Sequence, residues 1–544
     1  MSDLIAPTSG SPVVAFTVDG RDVEVPDDGS SLLAVLRDRL GVRSPKDGCS
    51  PQGQCGCCTV LVDGAPRVSC VTPARRVAGR VITTVDGLSD DDRERWSAAF
   101  LATGASQCGF CTPGIVCRLE GLRSKGTASD DRTAVDRALA AHLCRCTGWQ
   151  TIGEAWAVAT AGASGTAAAL GRDRDLDAAA ARATIEGGAS QHVGAEVVLG
   201  GGGFADDTAP QDALVAVPDG EGDWVVAETL TEARAAAGKV QGRRGTVEPR
   251  PPLELPEGDW DLTLRTSWVE PAYLETDAAW CVPGGEPTSP LANGGAFGAK
   301  AASVVTTVAR ELADRHGRPV RVLLSREDTV RLGAKRPPVA AGLRPDGTGV
   351  IRVVRTPGIA DAIRSVAPGL VVEEVDVVGP PTSAQLRGAG WVEAAVLTAA
   401  TANRRAGVPE AEATVASPSG AEARASIGHD GVVRVEVTCG PVLDPVVLRS
   451  YAIGATHMAL GWVTSEGLAV AEDGTIGDLT VRSFGVLRAA DTPFVEVSLR
   501  EGHGEPVNGS DAVFAAVAAA AWASQGWPTD WPTGRLVAPV AVPQ

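Results

Sequence analysis

The sequence predicts an α+β protein in three parts: a small β-grasp-like domain, a short helical bundle and a long mixed region. Three observations carry this. Two hairpin signals flank a glycine-rich loop within residues 12–86. The apolar spacing turns helical over 90–161, and strand and helix patterns then mix without an internal repeat over 259–544. Residues 162–258 read as linker and irregular connection.

The first hairpin alternates through Val14 to Val18, turns at Asp19-Gly20 and returns through Val23 to Val25. Ser30 or Ser31 can cap a helix that carries Leu32, Leu33, Val35, Leu36 and Leu40, with Gly41 as its stop. Thr59 to Val62, Asp63-Gly64 and Arg67 to Cys70 form the second hairpin. In the bundle, Trp96, Phe100, Leu101, Ile115, Val116, Leu119, Val135, Leu139 and Leu143 recur at helical spacing. Residues 161–171 look like a small-residue linker, and Asp175 to Glu186 like a helix. Gly200 to Gly203 lacks the Lys-Ser/Thr of a phosphate loop and reads as a plain turn. Beyond it, strands are expected at Val320–Leu324, Val432–Val437 and Phe494–Val497. Helices are expected at Ser303–Arg315, Val392–Ala406 and Asp511–Ala523.

The 544 residues carry 49 Lys+Arg against 67 Asp+Glu, a net charge of −18, which argues against a nucleic-acid reader. Hydrophobic residues at 44% and charged residues at 21% are those of a globular chain. With no export signal at Met1 to Gly10 and no long apolar run, a cytoplasmic protein with reduced thiols is the expectation.

Twelve cysteines are present, and ten of them fall between Cys49 and Cys146. Closely spaced reduced thiols read as metal or cluster ligands. Cys49, Cys55, Cys58 and Cys70 supply four thiolates, enough to complete two irons bridged by two sulfides. Gly48, Gly53 and Gly56 let the loop wrap closely and turn N–H groups toward sulfur. Cys57 lies between two of these ligands and is expected to point away. Cys108 and Cys111, then Cys144 and Cys146, form two close pairs at helix boundaries, with Pro113 suited to a first turn and Gly148 to a stop. Four sulfurs from two facing helix ends suit one cluster, or by spacing alone a tetrahedral zinc. Cys117, Cys281 and Cys439 read as small buried hydrophobes, and the six histidines show no metal-binding pairing.

Gln54-Cys55-Gly56-Cys57-Cys58-Thr59, then Gln107-Cys108-Gly109-Phe110-Cys111-Thr112-Pro113-Gly114, then Cys144-Arg145-Cys146-Thr147-Gly148, resemble the iron–sulfur subunit of the xanthine oxidase and aldehyde oxidoreductase family of molybdenum hydroxylases. The resemblance covers roughly residues 12–160. It implies a plant-ferredoxin-like [2Fe–2S] cluster on Cys49, Cys55, Cys58 and Cys70. A second [2Fe–2S] cluster is implied on Cys108, Cys111, Cys144 and Cys146, with Gln107 between it and a molybdopterin. Beyond residue 259 the chain resembles an abbreviated molybdenum subunit. Gly294 to Lys300, including Gly295, Phe297 and Gly298, is similar to the family's loop near the metal. Arg387-Gly-Ala-Gly390 resembles its substrate-pocket loop, and Gly504-Glu505-Pro506 its base-bearing segment. That match implies Arg387 as the substrate-orienting group and Glu505 as the base. In their own context, Glu505 reads equally well as an exposed turn carboxylate and Arg387 as a surface-loop residue.

The chain also departs from the family. The stretch between Arg387 and Glu505 is much shorter, lacks the Gly/Gln-rich segment that grips the pterin, and has His457-Met458-Ala459-Leu460-Gly461 where relatives carry Gln-Gly before Leu-Gly. Three readings therefore stay open. The first is an iron–sulfur component that relays electrons from a molybdenum centre to a flavin, with FAD on one partner subunit and molybdopterin on another, full-length one. The second is a self-contained molybdopterin hydroxylase. The third is a zinc-stabilised scaffold without redox activity.

Overall fold

A computed structural model describes residues 12–161, 174–238, 240, 242–243, 248–407 and 411–536. The linker expected over 161–171 lies outside these from residue 162 on, as does the N-terminal segment through residue 11. Among the described residues no helix is long and apolar enough to cross a membrane.

Strands β1 (Val13–Val18) and β2 (Arg21–Pro26) form the first hairpin, and β3 (Thr59–Val62) and β4 (Ala65–Val68) the second. With β5 (Val81–Thr83) they make one sheet in the order β2-β1-β5-β3-β4. Both turns need a positive φ at Asp and Gly, which Asp19-Gly20 and Asp63-Gly64 supply. Ser31 caps the short helix that follows, accepting a hydrogen bond from Ala34 N at 3.2 Å. Leu32 and Leu36 from that helix close over Phe16, Val60 and Ile82.

Four helices follow: α1 (Asp90–Thr103), α2 (Thr112–Arg123), α3 (Arg132–Leu139) and α4 (Gln150–Thr160). Trp96 is their hub. Its ring lies 6.3 Å from those of both Phe100 and Trp156, and its Nε1–H donates to buried Glu120 at 2.9 Å. Burying aromatic bulk this way stabilises a small bundle that has few residues to bury.

The stretch after Gly203 is not irregular connection. It contains β6 (Leu214–Pro218), β7 (Trp224–Ala227) and helix α6 (Leu230–Ala237), which begins with a Thr229/Glu232 capping box. These join β9 (Ala278–Cys281) and β10 (Val320–Leu323) in a sheet ordered β7-β6-β10-β9. Leu214 to Val217 is buried on both faces, so it shows no polar alternation, and the surrounding Pro, Gly and Asp mask it as a loop.

Most other expected elements are present within a few residues. Helix α5 spans Leu176–Gly187, α7 Val305–His316, α8 Trp391–Ala406 and α10 Ser510–Ser524; between the last two lies α9 (Pro445–Thr464). Two more sheets flank these helices. One joins β8 (Leu262–Thr266), β11 (Val339–Leu343), β12 (Gly349–Val354), β13 (Leu370–Val375) and β18 (Asp530–Trp531) in the order β13-β12-β11-β8-β18; the other runs β14 (Glu412–Ala416), β15 (Glu422–Ile427), β16 (Val433–Thr438) and β17 (Val495–Arg500). Helices α9 and α10 are enclosed nearly all round, and the largest apolar core sits about them.

Candidate metal centres

The two cysteine sets occupy adjoining loops in the interior. Cys49, Cys55, Cys58 and Cys70 are all buried. Thiol contacts join Cys49 to Cys55 and to Cys70, and Cys70 to Cys58. Gln54 donates its backbone N–H to Cys49 Sγ at 3.4 Å, as a loop built around sulfur requires. Gly56 is essential to the packing: its φ is +74° and an added Cβ would fall 2.4 Å from the His142 ring. Cys57 does not turn away as expected. Its thiol touches that of Cys55 and feels the charge of Cys144, while its carbonyl accepts from Lys46 N at 3.2 Å and packs against Gly114.

In the second set, Cys108 and Cys111 lead into α2 and Cys144 and Cys146 precede α4. The sulfurs meet in two pairs, Cys146 with Cys108 at 3.6 Å and Cys111 with Cys144. Thr147 Oγ1 lies 3.1 Å from Cys144 Sγ. The Cys111 contact first, then the Thr147 donors, outweigh burial and draw the Cys144 thiol down to about 6. Cys49 is likewise held well below the ordinary thiol range, by Cys55 and Cys70. Among the described residues no three His, Cys, Asp or Glu side chains converge as the ligands of a single ion would. In the second set the two-by-two pairing suits two irons better than one zinc. The sets are bridged directly: Leu143 N, next to Cys144, donates to Cys55 O at 3.0 Å.

Two descriptions of domain families match this part of the chain: a 2Fe-2S iron-sulfur cluster binding domain over residues 16–81 and a [2Fe-2S] binding domain over 84–157. The xanthine dehydrogenase iron-sulfur-binding subunit of Escherichia coli is 40% identical over 102 residues, 18% of this chain and 64% of that one. The 6-hydroxypseudooxynicotine dehydrogenase complex subunit beta of Paenarthrobacter nicotinovorans is 40% identical over 109 residues, covering 20% of this chain and 68% of that subunit. The chain belongs to the molybdenum hydroxylase family. It carries two [2Fe–2S]-binding domains and spans 56–64% of the length of several curated relatives it matches. The fold extends further than the sequence match. Aldehyde oxidoreductase from Desulfovibrio desulfuricans superposes with a TM-score of 0.68 over 94% of this chain and 97% of that one, at 14% identity.

The molybdenum-subunit-like half of this family member does not fit a pterin. Gln107 Nε2 is used internally, donating to Cys146 O at 3.0 Å and to Ser450 Oγ of α9 at 2.9 Å. Gly295 lies against the second set, where an added Cβ would meet Cys108 Sγ at 3.0 Å, and Gly298 lies against Gln385 O. On α9, a Cβ at Gly454 would fall 1.8 Å from Cys146 O. The cavity beside Cys108 and Gly295 measures about 10 Å³ and that beside Phe297 and Arg387 about 30 Å³. Cofactor pockets run to roughly 300–1,000 Å³.

Arg387 is buried rather than on a surface loop. Its guanidinium lies 4.8 Å from the Phe297 ring centroid and 3.5 Å from Asp511. Glu505 is exposed on the turn after β17 and lines neither small cavity, so the structure does not bring it together with Arg387 as base and substrate-orienting group. What fills this region is a set of buried ion pairs that sequence reading missed: Arg145–Glu466 at 2.6 Å, Arg336–Glu393 at 2.7 Å, Lys300–Glu275 at 2.8 Å and Arg182–Glu186 at 2.6 Å. Burial leads in raising the Glu275 carboxyl, to about 7, even against Lys300. Only Arg182–Glu186, at helical i,i+4 spacing, left a local signal.

Proposed function

We propose that this chain is the electron-transfer component of a molybdenum–flavin hydroxylase. In this reading Cys108, Cys111, Cys144 and Cys146 hold one cluster and Cys49, Cys55, Cys58 and Cys70 the other. A [2Fe–2S] cluster on four thiolates accepts and releases one electron. The protein's own part is to enclose the sulfurs, seven of the eight cysteines being buried and Cys108 partly so, and to hold the two loops in contact. The observation that carries the reading is the bridge from Leu143 N to Cys55 O at 3.0 Å, which joins the two ligand loops directly through the backbone.

The partners in this reading are an FAD-binding subunit and a molybdopterin-binding subunit. The first set favours the flavin side. Pro51 is exposed, and a groove of about 520 Å³ runs beside Gln52 and Gln54 toward Arg234, Arg243 and Glu327. The second set is covered by α9 and the Gly294–Gly298 loop of the same chain. A molybdopterin partner must therefore reach it around that cover or exchange electrons through the first set.

Low-temperature EPR of the reduced chain, with iron and sulfide analysis, tests this. Two signals are expected, with about two irons and two sulfides per set. Cys58→Ser should abolish one signal and Cys146→Ser the other, while Cys57→Ala keeps both. Because the Cys57 thiol touches Cys55, loss of a signal in Cys57→Ala would show that the first ligand set is misassigned.

A further inference from the structure

Arg145 stands between two cysteines of the second set, and its side chain lines the same small cavity as Cys108, Cys111 and Cys146. Each of its three guanidinium nitrogens donates a hydrogen bond. Nη1 and Nη2 donate to the two oxygens of Glu466 at 2.6 and 2.7 Å, and Nε donates to Pro271 O at 3.0 Å. Glu466 is 1% exposed and lies just past the end of α9, with its N–H bonded to Gly461 O at 2.7 Å. Gly461 makes the space for it, since an added Cβ there would fall 2.1 Å from Glu466 Oε1. The other charged pair on this cavity, Lys300 and Glu275, is already compensated.

We propose that Glu466, supplied by the molybdenum-subunit-like half, sets the reduction potential of the second cluster by cancelling the charge of Arg145. The inference rests on the reading that Cys108, Cys111, Cys144 and Cys146 are the ligands. Reduction adds one electron and one negative charge to that site, with no bond made or broken in the protein. A lone guanidinium in the ligand loop would stabilise the reduced form strongly, because the surroundings are dry and of low dielectric. The bidentate carboxylate removes that bias, and cluster potentials respond to net charge and hydrogen bonding. Stability alone gives no reason for the arrangement, since a buried ion pair is often matched by apolar residues of equal volume. Glu466 is in this sense a positioning residue that acts through Arg145.

Potentiometric titration of the full chain, followed by EPR, reads this directly. E466Q should keep both signals. The midpoint of the signal that Cys146→Ser removes should rise by at least tenfold in the one-electron equilibrium, about 59 mV, and the other should stay in place. R145Q should shift the same midpoint downward, and R145Q/E466Q should bring it back near the original. If E466Q loses its cluster, R145Q against the double variant measures the same coupling. An unmoved midpoint, or equal shifts in both signals, overturns the inference while leaving the ligands standing. If Cys146→Ser keeps both signals, the ligand reading itself fails.

Discussion

At the scale of single residues, burial decides charge states that sequence spacing leaves open. His457 is fully enclosed, with Nε2 3.0 Å from Leu487 O. Burial first, and the nearby Arg145 charge second, hold its pKa at about 4. In an unfolded chain the value is about 6.5, so as pH falls the unfolded state takes up the proton first. The native state is therefore favoured above pH 6.5 and loses that advantage between about 6.5 and 4, by roughly 1–3 kcal/mol. Urea midpoints at pH 7.5 and pH 5 should drop more for the native sequence than for His457→Gln. An equal drop in both would show that the imidazole is not held neutral. Cys57 shows the limit of local reading at this scale. Its place between two ligands is plain in the sequence, but the contact of its thiol with Cys55 and the packing of its backbone against Gly114 of another helix are not.

At the scale of elements, what was legible is what is local. The Asp-Gly turns, the Ser31 cap, Pro113 and the paired cysteines each act within a few residues, and each is found where the sequence places it. Two of the missed elements are buried on every side: β6 shows no alternation, and α9 no polar face, so neither carries a period to read. The pairs that fill the pterin side were equally silent, since Arg145 and Glu466 lie 321 positions apart. Helix α9 has its own test. Gly454 lets it approach Cys146 O so closely that a methyl group there would fall 1.8 Å away. Gly454→Ala should force α9 off the second ligand loop, at a cost of about 1–3 kcal/mol. The second EPR signal should broaden or vanish while the first persists. Unchanged spectra and melting temperature would show that α9 does not hold that loop.

Across the whole molecule, the ferredoxin-like domain meets the region that follows the bundle through a charge network laid beside a shared apolar core, in which Leu33 lies with Phe204, Leu274 and Val330. Arg37 bonds Asp206 at 2.7 Å and Asp207 at 2.8 Å. Lys46 pairs with Asp207, and Arg321 reaches back to Asp38 at 2.7 Å and across to Asp206 at 2.9 Å. Lys46 is 1% exposed, and burial is the leading effect lowering its pKa, so its ammonium depends on Asp207 and on the carbonyls of Arg43 and Gly200. Removing one partner of such a network leaves a desolvated charge behind, which costs about 3–5 kcal/mol. Asp207→Ala should therefore lower the melting temperature markedly and loosen the first cluster, whose loop begins beside Lys46. Replacing both partners is a different perturbation, because Lys46→Met with Asp207→Leu leaves no lone charge and should recover most of the loss. Calorimetry of the three proteins distinguishes a charge-built junction from one held by packing. If the double variant melts as low as Asp207→Ala, the junction depends on shape, and the charges are incidental to it.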